Sequence, residues 1–470
     1  MSNLIGREQE IQTLHTALNS KESELIAVYG RRRVGKTFLI KKTYANNIVF
    51  EITGISQGSF KDQLTNFHTE LGFKSEEITK QSVPKTWFEA FQLLRAYIEN
   101  LKTKKKKVIF IDEFPWMYTP RSKFVQMFGH FWNSYCVGRE DVVVVVCGSS
   151  ASFIVNKVIK DTGGLHNRIS RTINLMPFNL YETEKFLKSR GVKLHTYDYL
   201  QLYMSLGGIP HYLKEIQSGD SVPVAIDRLC FKPNGVLVNE FNLVFKSLFN
   251  NSDKHTTIVE TLSQTQTGMT RQELIAKSGI ASGRVLVQVI QELIDSGFVS
   301  NYLPFEKKKK DSLYRLSDEY SAFYLRFIKD HPNGNWKTLS NSSSYTIWCG
   351  FSFETLCLKH VAQIKKGLGI NGIDTVSSSW RNDNAQIDLL IDRADNCINI
   401  CEMKFYNKKF AISKKYSDNL YNKQRELIES MKKDKNVFIT LVTTFGVTTN
   451  NYSNMVMTNQ ITMDTLFEKS

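Results

Sequence analysis

Gly30-Arg31-Arg32-Arg33-Val34-Gly35-Lys36-Thr37 is the stretch on which the reading of the fold turns. It fits G-x-x-x-x-G-K-[ST], a pattern whose glycines let backbone amides turn inward on phosphate oxygens at the positive end of a helix. The setting is the required one. The apolar run Leu25 to Tyr29 precedes it, and the helical segment Thr37 to Ala45 follows. Lys36 is expected to reach the β- and γ-phosphates of a nucleotide and the Thr37 hydroxyl to ligate Mg²⁺, with Gly30 to Phe38 lining the nucleotide. The competing reading, a basic surface turn that matches by accident, is disfavoured by this context.

Working outward, Val108-Ile109-Phe110-Ile111-Asp112-Glu113 is an apolar strand ending in two acids. Asp112 is expected to hold Mg²⁺, directly or through water, and Glu113 to polarise the attacking water as general base. Glu24 to Tyr29, Ile48 to Ile52, Val108 to Ile111 and Val142 to Cys147 read as buried strands. Between them, segments such as Trp87 to Leu101 repeat apolar residues at helical spacing. The alternation predicts an α/β fold with a parallel sheet covered on both faces.

The sequence resembles the archaeal-type ATPase family, a branch of the AAA+/STAND P-loop ATPases. The resemblance rests on Ile5-Gly6-Arg7-Glu8, the GRRRVGKT loop, the IDEF strand end, VVVVVCGSS at 142 to 150, and Leu206-Gly207-Gly208-Ile209-Pro210-His211-Tyr212-Leu213. It implies that Ile5 to Glu8 packs near the adenine, that Ser149 or Ser150 is a polar sensor, and that Pro210, in a helical lid, approaches the base. Family members carry Gly-Arg where this chain has His166-Asn167-Arg168, so Arg168 is the matching phosphate-facing arginine and Arg171 its competitor. An ordinary strand-end turn at Ser149 and a surface ion pair at Arg168 are the plain alternatives.

Thr270 with Glu273 three residues on marks an N-capped helix, a capping box. A turn at Ser278 to Ile280 and a second helix, Ala281 to Ile294 with Val285, Val289 and Leu293 on its apolar stripe, follow. Gly297 to Val299 and Leu313 to Leu316 then read as strands of a wing tipped by Lys307 to Lys310. This winged-helix pattern can set the second helix in a major groove, offering Ser282, Arg284 and Gln288, while the wing meets phosphate. The same module also serves in such ATPases as an internal packing unit.

Near the C-terminus, Gln386 to Arg393 and Ile400 to Lys404 form two apparent strands joined by a turn at Ala394 to Asn396. Asp388 and Glu402 could hold a divalent metal against a phosphodiester, with Lys404 on the face of Glu402 to orient water. The region resembles the PD-(D/E)XK nuclease superfamily. Glu354 matches the acid of its preceding helix and Gln424 an auxiliary polar residue of the following one. Asp392 and Arg393 read as a strand-end ion pair. A catalytically decayed copy is the alternative.

The domains expected are a P-loop ATPase core over 1–175, a helical lid over 176–250, a winged helix over 251–330 and an α/β restriction-endonuclease-like domain over 335–470. The Asn- and Ser-rich stretch 331–344 reads as a loose linker. Composition agrees with a soluble multidomain chain: 470 residues, 41% hydrophobic, 23% charged. Sixty-one Lys+Arg against 46 Asp+Glu leave a net charge of +15, which favours an anionic partner. No apolar run approaches the roughly 20 residues that span a bilayer, and the N-terminus lacks a signal-peptide pattern. Seven cysteines without zinc spacing suggest reduced thiols and a cytoplasmic setting. The function expected is therefore an ATP- and Mg-dependent ATPase switch coupled to a nucleic-acid-binding, metal-dependent nuclease-like tail. The alternative is a non-cleaving DNA-binding regulator or scaffold. Expected partners are ATP and nucleic acid, DNA ahead of RNA, with self-association open and no membrane insertion.

Overall fold

A computed structural model of the chain describes residues 4–160, 162–249, 251–265, 267–331 and 334–469. It divides into two compact units, Met1–Met176 and Pro177–Ser470.

The first unit is built on five parallel strands, β1 Glu24–Tyr29, β2 Ile48–Thr53, β3 Lys107–Asp112, β4 Val142–Gly148 and β5 Arg171–Asn174, in the order β2-β3-β4-β1-β5. Central strand β4 is five valines, a cysteine and a glycine, all buried. Such a run suits a parallel strand covered on both faces by helices. Lys107 opens β3 yet is buried, because its ammonium is 2.6 Å from Asp141. The neighbouring Lys106 donates to the Ser20 and Glu22 carbonyls, so both lysines brace the sheet. Strand β5 was not legible in the sequence: Arg-Thr-Ile-Asn buries only Ile173 at the sheet edge.

The second unit begins with helices, Leu180–Ser189 and Thr196–Leu206 foremost. Gly207 and Gly208 follow because the backbone leaves no alternative. Gly207 has φ +68°, and a Cβ on Gly208 would lie 1.8 Å from the Phe178 carbonyl oxygen. A helix Ser252–Ser263 then leads to β6 Met269–Thr270, helices Arg271–Ser278 and Arg284–Asp295, and β7 Val299–Tyr302 and β8 Leu313–Leu316, ordered β6-β8-β7. The Thr270–Glu273 capping box is formed in both directions. In the helix Arg284–Asp295 the buried stripe is Leu286, Val289, Ile290 and Leu293. Val285, expected inside, is 50% exposed: Gly283 starts the helix later than expected, and the 3.6-residue period centres on Leu286 instead.

The final part has the order helix, three antiparallel strands, helix, parallel strand. The helix Ser343–Lys359 is followed by β9 Thr375–Arg381, β10 Gln386–Arg393, β11 Cys397–Lys404, β12 Phe410–Ala411, the helix Lys414–Ser430, β13 Asn436–Thr443, β14 Val447–Thr448 and β15 Asn459–Thr462. The main sheet runs β15-β13-β11-β10-β9, with β11, β13 and β15 parallel and β10 antiparallel to both its neighbours. Strands β12 and β14 pair separately.

The expected linker is instead packed. Trp336, 1% exposed, opens the short helix Trp336–Ser340 and meets the rings of Phe231, Phe323, Phe327 and Tyr345. Its polar neighbours disguised one large aromatic anchor. Pro332 and Asn333 of that stretch lie outside the described residues. Of the seven cysteines, six are buried and Cys397 is half-buried, and all are free thiols.

Candidate functional site

The loop after β1 has the backbone its sequence demands. Gly30 has φ +142° and Gly35 φ +93°, and Arg33 also adopts a positive φ of 74°. A Cβ on Gly30 would meet the Leu175 carbonyl oxygen at 2.3 Å, while the Leu175 amide donates to Tyr29. Gly35 then caps the helix Lys36–Thr43, whose first amides face the loop. Arg31 and Val34 are buried, Arg32 is exposed, Arg33 is half-buried and Phe38 is 43% exposed. Arg7, from the Ile5–Glu8 stretch, donates to the Val34 carbonyl at 3.4 Å, so that stretch touches the loop.

Lys36, 6% exposed, donates at 3.0 Å to the carbonyls of both Gly30 and Arg31, holding its ammonium across the loop. Thr37 donates from its hydroxyl to Asp112 Oδ2 at 2.6 Å. This brings the end of β3 against the start of the helix and juxtaposes two oxygen donors of the kind a hard cation prefers. Glu113, next along, has φ +45°, a left-handed backbone in a bulky residue. Its carboxylate accepts from Ser149 three times, from the hydroxyl at 2.8 Å to each oxygen and from the amide at 3.2 Å. Ser149 follows β4 directly and is 3% exposed, while Ser150 starts the next short helix. The expected loop, metal-ligand, base and sensor residues of the first unit thus form one connected group.

The two arginines stand elsewhere. Arg171 lies beside Ile26, and its guanidinium is 3.1 Å from Glu24, where β1 begins rather than where the loop leaves it. The adjacent Ser170 amide donates to Leu25, which places the exposed turn carrying Arg168 toward that same end. A strand of this length separates both from the Gly30 end, on the order of 15 Å. Pro210 lies in the second unit, at the first position of the helix Pro210–Leu213, where its fixed φ suits a helix start.

In the second unit, β10 and β11 pair up to Leu389 with Cys401, so one further step sets Asp388 opposite Glu402. Asp388 sits where the pairing of β10 with β9 shifts between Ile387 and Leu390, a bulge that re-aims its side chain. Gln386 donates to Asp388 Oδ1 at 2.7 Å. Glu402, 5% exposed, accepts from Lys423 at 2.5 Å on one oxygen and from the Tyr416 hydroxyl at 3.3 Å on the other. Lys404 holds its ammonium over the Tyr416 ring, 5.2 Å from its centre. Glu354, on the helix Ser343–Lys359, faces Arg315 of β8 at 3.9 Å. Burial first, and the neighbouring Asp388 next, push its carboxyl up to about 7. Burial and then Glu402 raise the Tyr416 hydroxyl.

Gln424 is not in this cluster: its amide donates to the Val437 carbonyl on β13. The preceding residue, Lys423, is, because the helix turns about 100° per residue and presents it to β11 instead. Asp392 and Arg393 are ion-paired, but not with each other; Asp392 meets Lys435, and Arg393 meets Asp395 at 2.5 Å. Asp392 and Arg393 are neighbours on a strand and so point to opposite faces. Among the described residues, no three His, Cys, Asp or Glu side chains are arranged to hold a metal. Ser282, Arg284 and Gln288 are exposed on their helix or its approach, and so are Lys307 to Lys310.

Residues 4–216 match a family described as an ATPase domain predominantly from Archaea. Across 432 residues the chain is 23% identical to an uncharacterized protein of Methanocaldococcus jannaschii, over 90% of this chain and 92% of that one. An uncharacterized ATP-binding protein of the same organism is 48% identical over 42 residues, 9% of this chain and 71% of that one. Among solved structures, the Walker-type ATPase of Pyrococcus abyssi aligns with a TM-score of 0.51 at 17% identity, over 69% of this chain and 96% of that one. That likeness is one of fold. The N-terminal part of this chain is an ATPase domain of the archaeal P-loop type. Among the described residues, no helix is long and apolar enough to cross a membrane.

Proposed function

We propose that the protein is an ATP-hydrolysing switch whose second unit binds nucleic acid, DNA ahead of RNA. The observation that carries the first half is the continuous contact Thr37–Asp112 and Glu113–Ser149 behind the glycine loop. In this reading the loop amides from Gly30 to Gly35 and the Lys36 ammonium bind the β- and γ-phosphates. Thr37 and Asp112 would hold Mg²⁺, whose charge would neutralise the phosphates. Glu113 takes the proton of the attacking water, and Ser149 sets when its carboxylate is free to do so. Phe38 serves the base. Substituting Lys36 and finding undiminished ATP hydrolysis would overturn the enzymatic claim.

For the second half, the order helix, β6, two helices, β7 and β8 supports a winged-helix reading, with Arg284 and Gln288 offered to base edges and Lys307 to Lys310 to phosphate. The strand order of the last sheet and the placement of Asp388, Glu402 and Lys404 support a nuclease-like tail that gains access to nucleic acid according to nucleotide state. Its measure is Mg²⁺-dependent cleavage that disappears in Asp388→Ala and Glu402→Ala. A second reading, a nucleotide-controlled regulator that binds without cutting, is favoured by one observation: both Glu402 oxygens already have protein partners. Steep weakening of DNA binding with salt is expected on either reading.

A further inference from the structure

The acids on β10 and β11 stand among cations that belong to the chain itself. Glu354, Asp388 and Glu402 share their surroundings with Arg315, Lys404 and Lys423, three acids against three basic side chains. A site built for a divalent ion instead leaves its carboxylates in excess. The Lys423 and Glu402 side chains are 15% and 6% exposed and their charged atoms are 2.5 Å apart. At that burial an ion pair is hard to break, because each partner left alone would be an uncompensated charge out of water. The helix carrying Lys423 is also pinned on either side of it, by Tyr421 to the Met455 carbonyl and by Gln424 to the Val437 carbonyl. Lys404, which the D…E-x-K spacing nominates for the reacting atoms, lies over Tyr416. The free lysine of the sequence pattern and the bound lysine of the fold are therefore different residues.

We propose that Lys423 is the resident cation of this cluster: its ammonium takes the place at Glu402 that a divalent ion would need, and its removal converts the cluster into a metal site. The inference rests on the second of the two readings above, a tail that binds without cutting, because a wild-type cluster already neutralised by Lys423 holds no ion for cleavage.

The test is Mn²⁺ titration of the full chain without nucleotide, followed by loss of the free-ion paramagnetic resonance signal. Any contribution from Thr37 and Asp112 is common to all variants and cancels between them. Wild type and Glu402→Gln are expected to take up Mn²⁺ alike. Lys423→Met should gain a site at least about tenfold tighter, the scale of removing one competing charge beside a carboxylate. That gain should vanish in the double variant Lys423→Met/Glu402→Gln. Wild type binding one more ion than Glu402→Gln, or a folded Lys423→Met indistinguishable from wild type, overturns the proposal. Should Lys423→Met fail to fold, the wild-type and Glu402→Gln comparison decides alone: equal uptake supports the proposal and an extra wild-type ion overturns it. Cleavage is not the readout, so failure here is distinct from failure of the non-cutting reading.

Discussion

Glu113 is held in two ways, by a left-handed backbone and by three hydrogen bonds from Ser149. Two substitutions separate these roles. Glu113→Gln should keep nucleotide binding while hydrolysis falls by about 100-fold or more, the usual worth of a general base. Ser149→Ala should change the hydrolysis rate without weakening nucleotide binding, since it frees the carboxylate and leaves the loop intact. Equilibrium binding of a fluorescent ATP analogue beside a phosphate-release assay checks both. Arg171 offers the contrast. Its partner Glu24 is buried, and hydrogen bonds from Ser170 and Arg171 hold the Glu24 carboxyl below its ordinary range despite desolvation, the largest single influence. Arg171→Ala should lower stability and leave the hydrolysis rate per folded molecule unchanged, as judged by chemical denaturation and assay together. The loop, Asp112, Glu113 and Ser149 were legible as residues because each sits at the end of an apolar strand. Lys423 and Tyr416 were not, since the helix Lys414–Ser430 carries several lysines and only its rotation against β11 selects one.

Among elements, legibility followed burial. Strands β1 to β4 announce themselves as apolar runs, whereas β9, Thr-Val-Ser-Ser-Ser-Trp-Arg, buries small hydroxyls and one tryptophan and shows no hydrophobic alternation. The Trp336 helix hid for the same reason, one anchor among polar residues. Its removal is correspondingly expensive: Trp336→Ala should destabilise the second unit by about 3–5 kcal/mol, read as a fall in the urea midpoint. The helix Arg284–Asp295 divides its two faces sharply. Leu286→Ala should cost about 2–5 kcal/mol. Arg284→Ala with Gln288→Ala, both exposed, should leave the denaturation curve within about 0.5 kcal/mol and weaken DNA binding in a fluorescence anisotropy titration. Unchanged DNA affinity would instead assign this helix to internal packing.

For the whole molecule, His360 and Glu354 are two buried groups on which acidity acts with opposite sign. His360 accepts from the Leu180 amide through Nε2, while Nδ1 donates to the Leu356 carbonyl, an arrangement only the neutral ring can make. Burial lowers its pKa to about 4. The unfolded chain takes up that proton near pH 6.5, so the His360 contribution, about 3 kcal/mol, is whole above 6.5 and drains away as pH falls toward 4. Glu354 runs the other way: with its carboxyl at about 7 in the fold, its contribution is whole below its ordinary value and is lost as pH rises through 7. The two nearly offset in wild type. They should separate in variants, His360→Gln flattening the acid fall and Glu354→Gln flattening the neutral one, in urea midpoints measured from pH 4.5 to 7.5. One further feature acts beyond its own neighbourhood. Leu175 is fastened to the nucleotide loop by a hydrogen bond to Tyr29 and by an approach to Gly30 too close for any side chain. The chain leaves the ATPase unit one residue later, at Met176, which is 47% exposed. Loop and exit are one mechanical joint, so a dye placed at Met176 becomes a gauge of occupancy for a pocket it never enters.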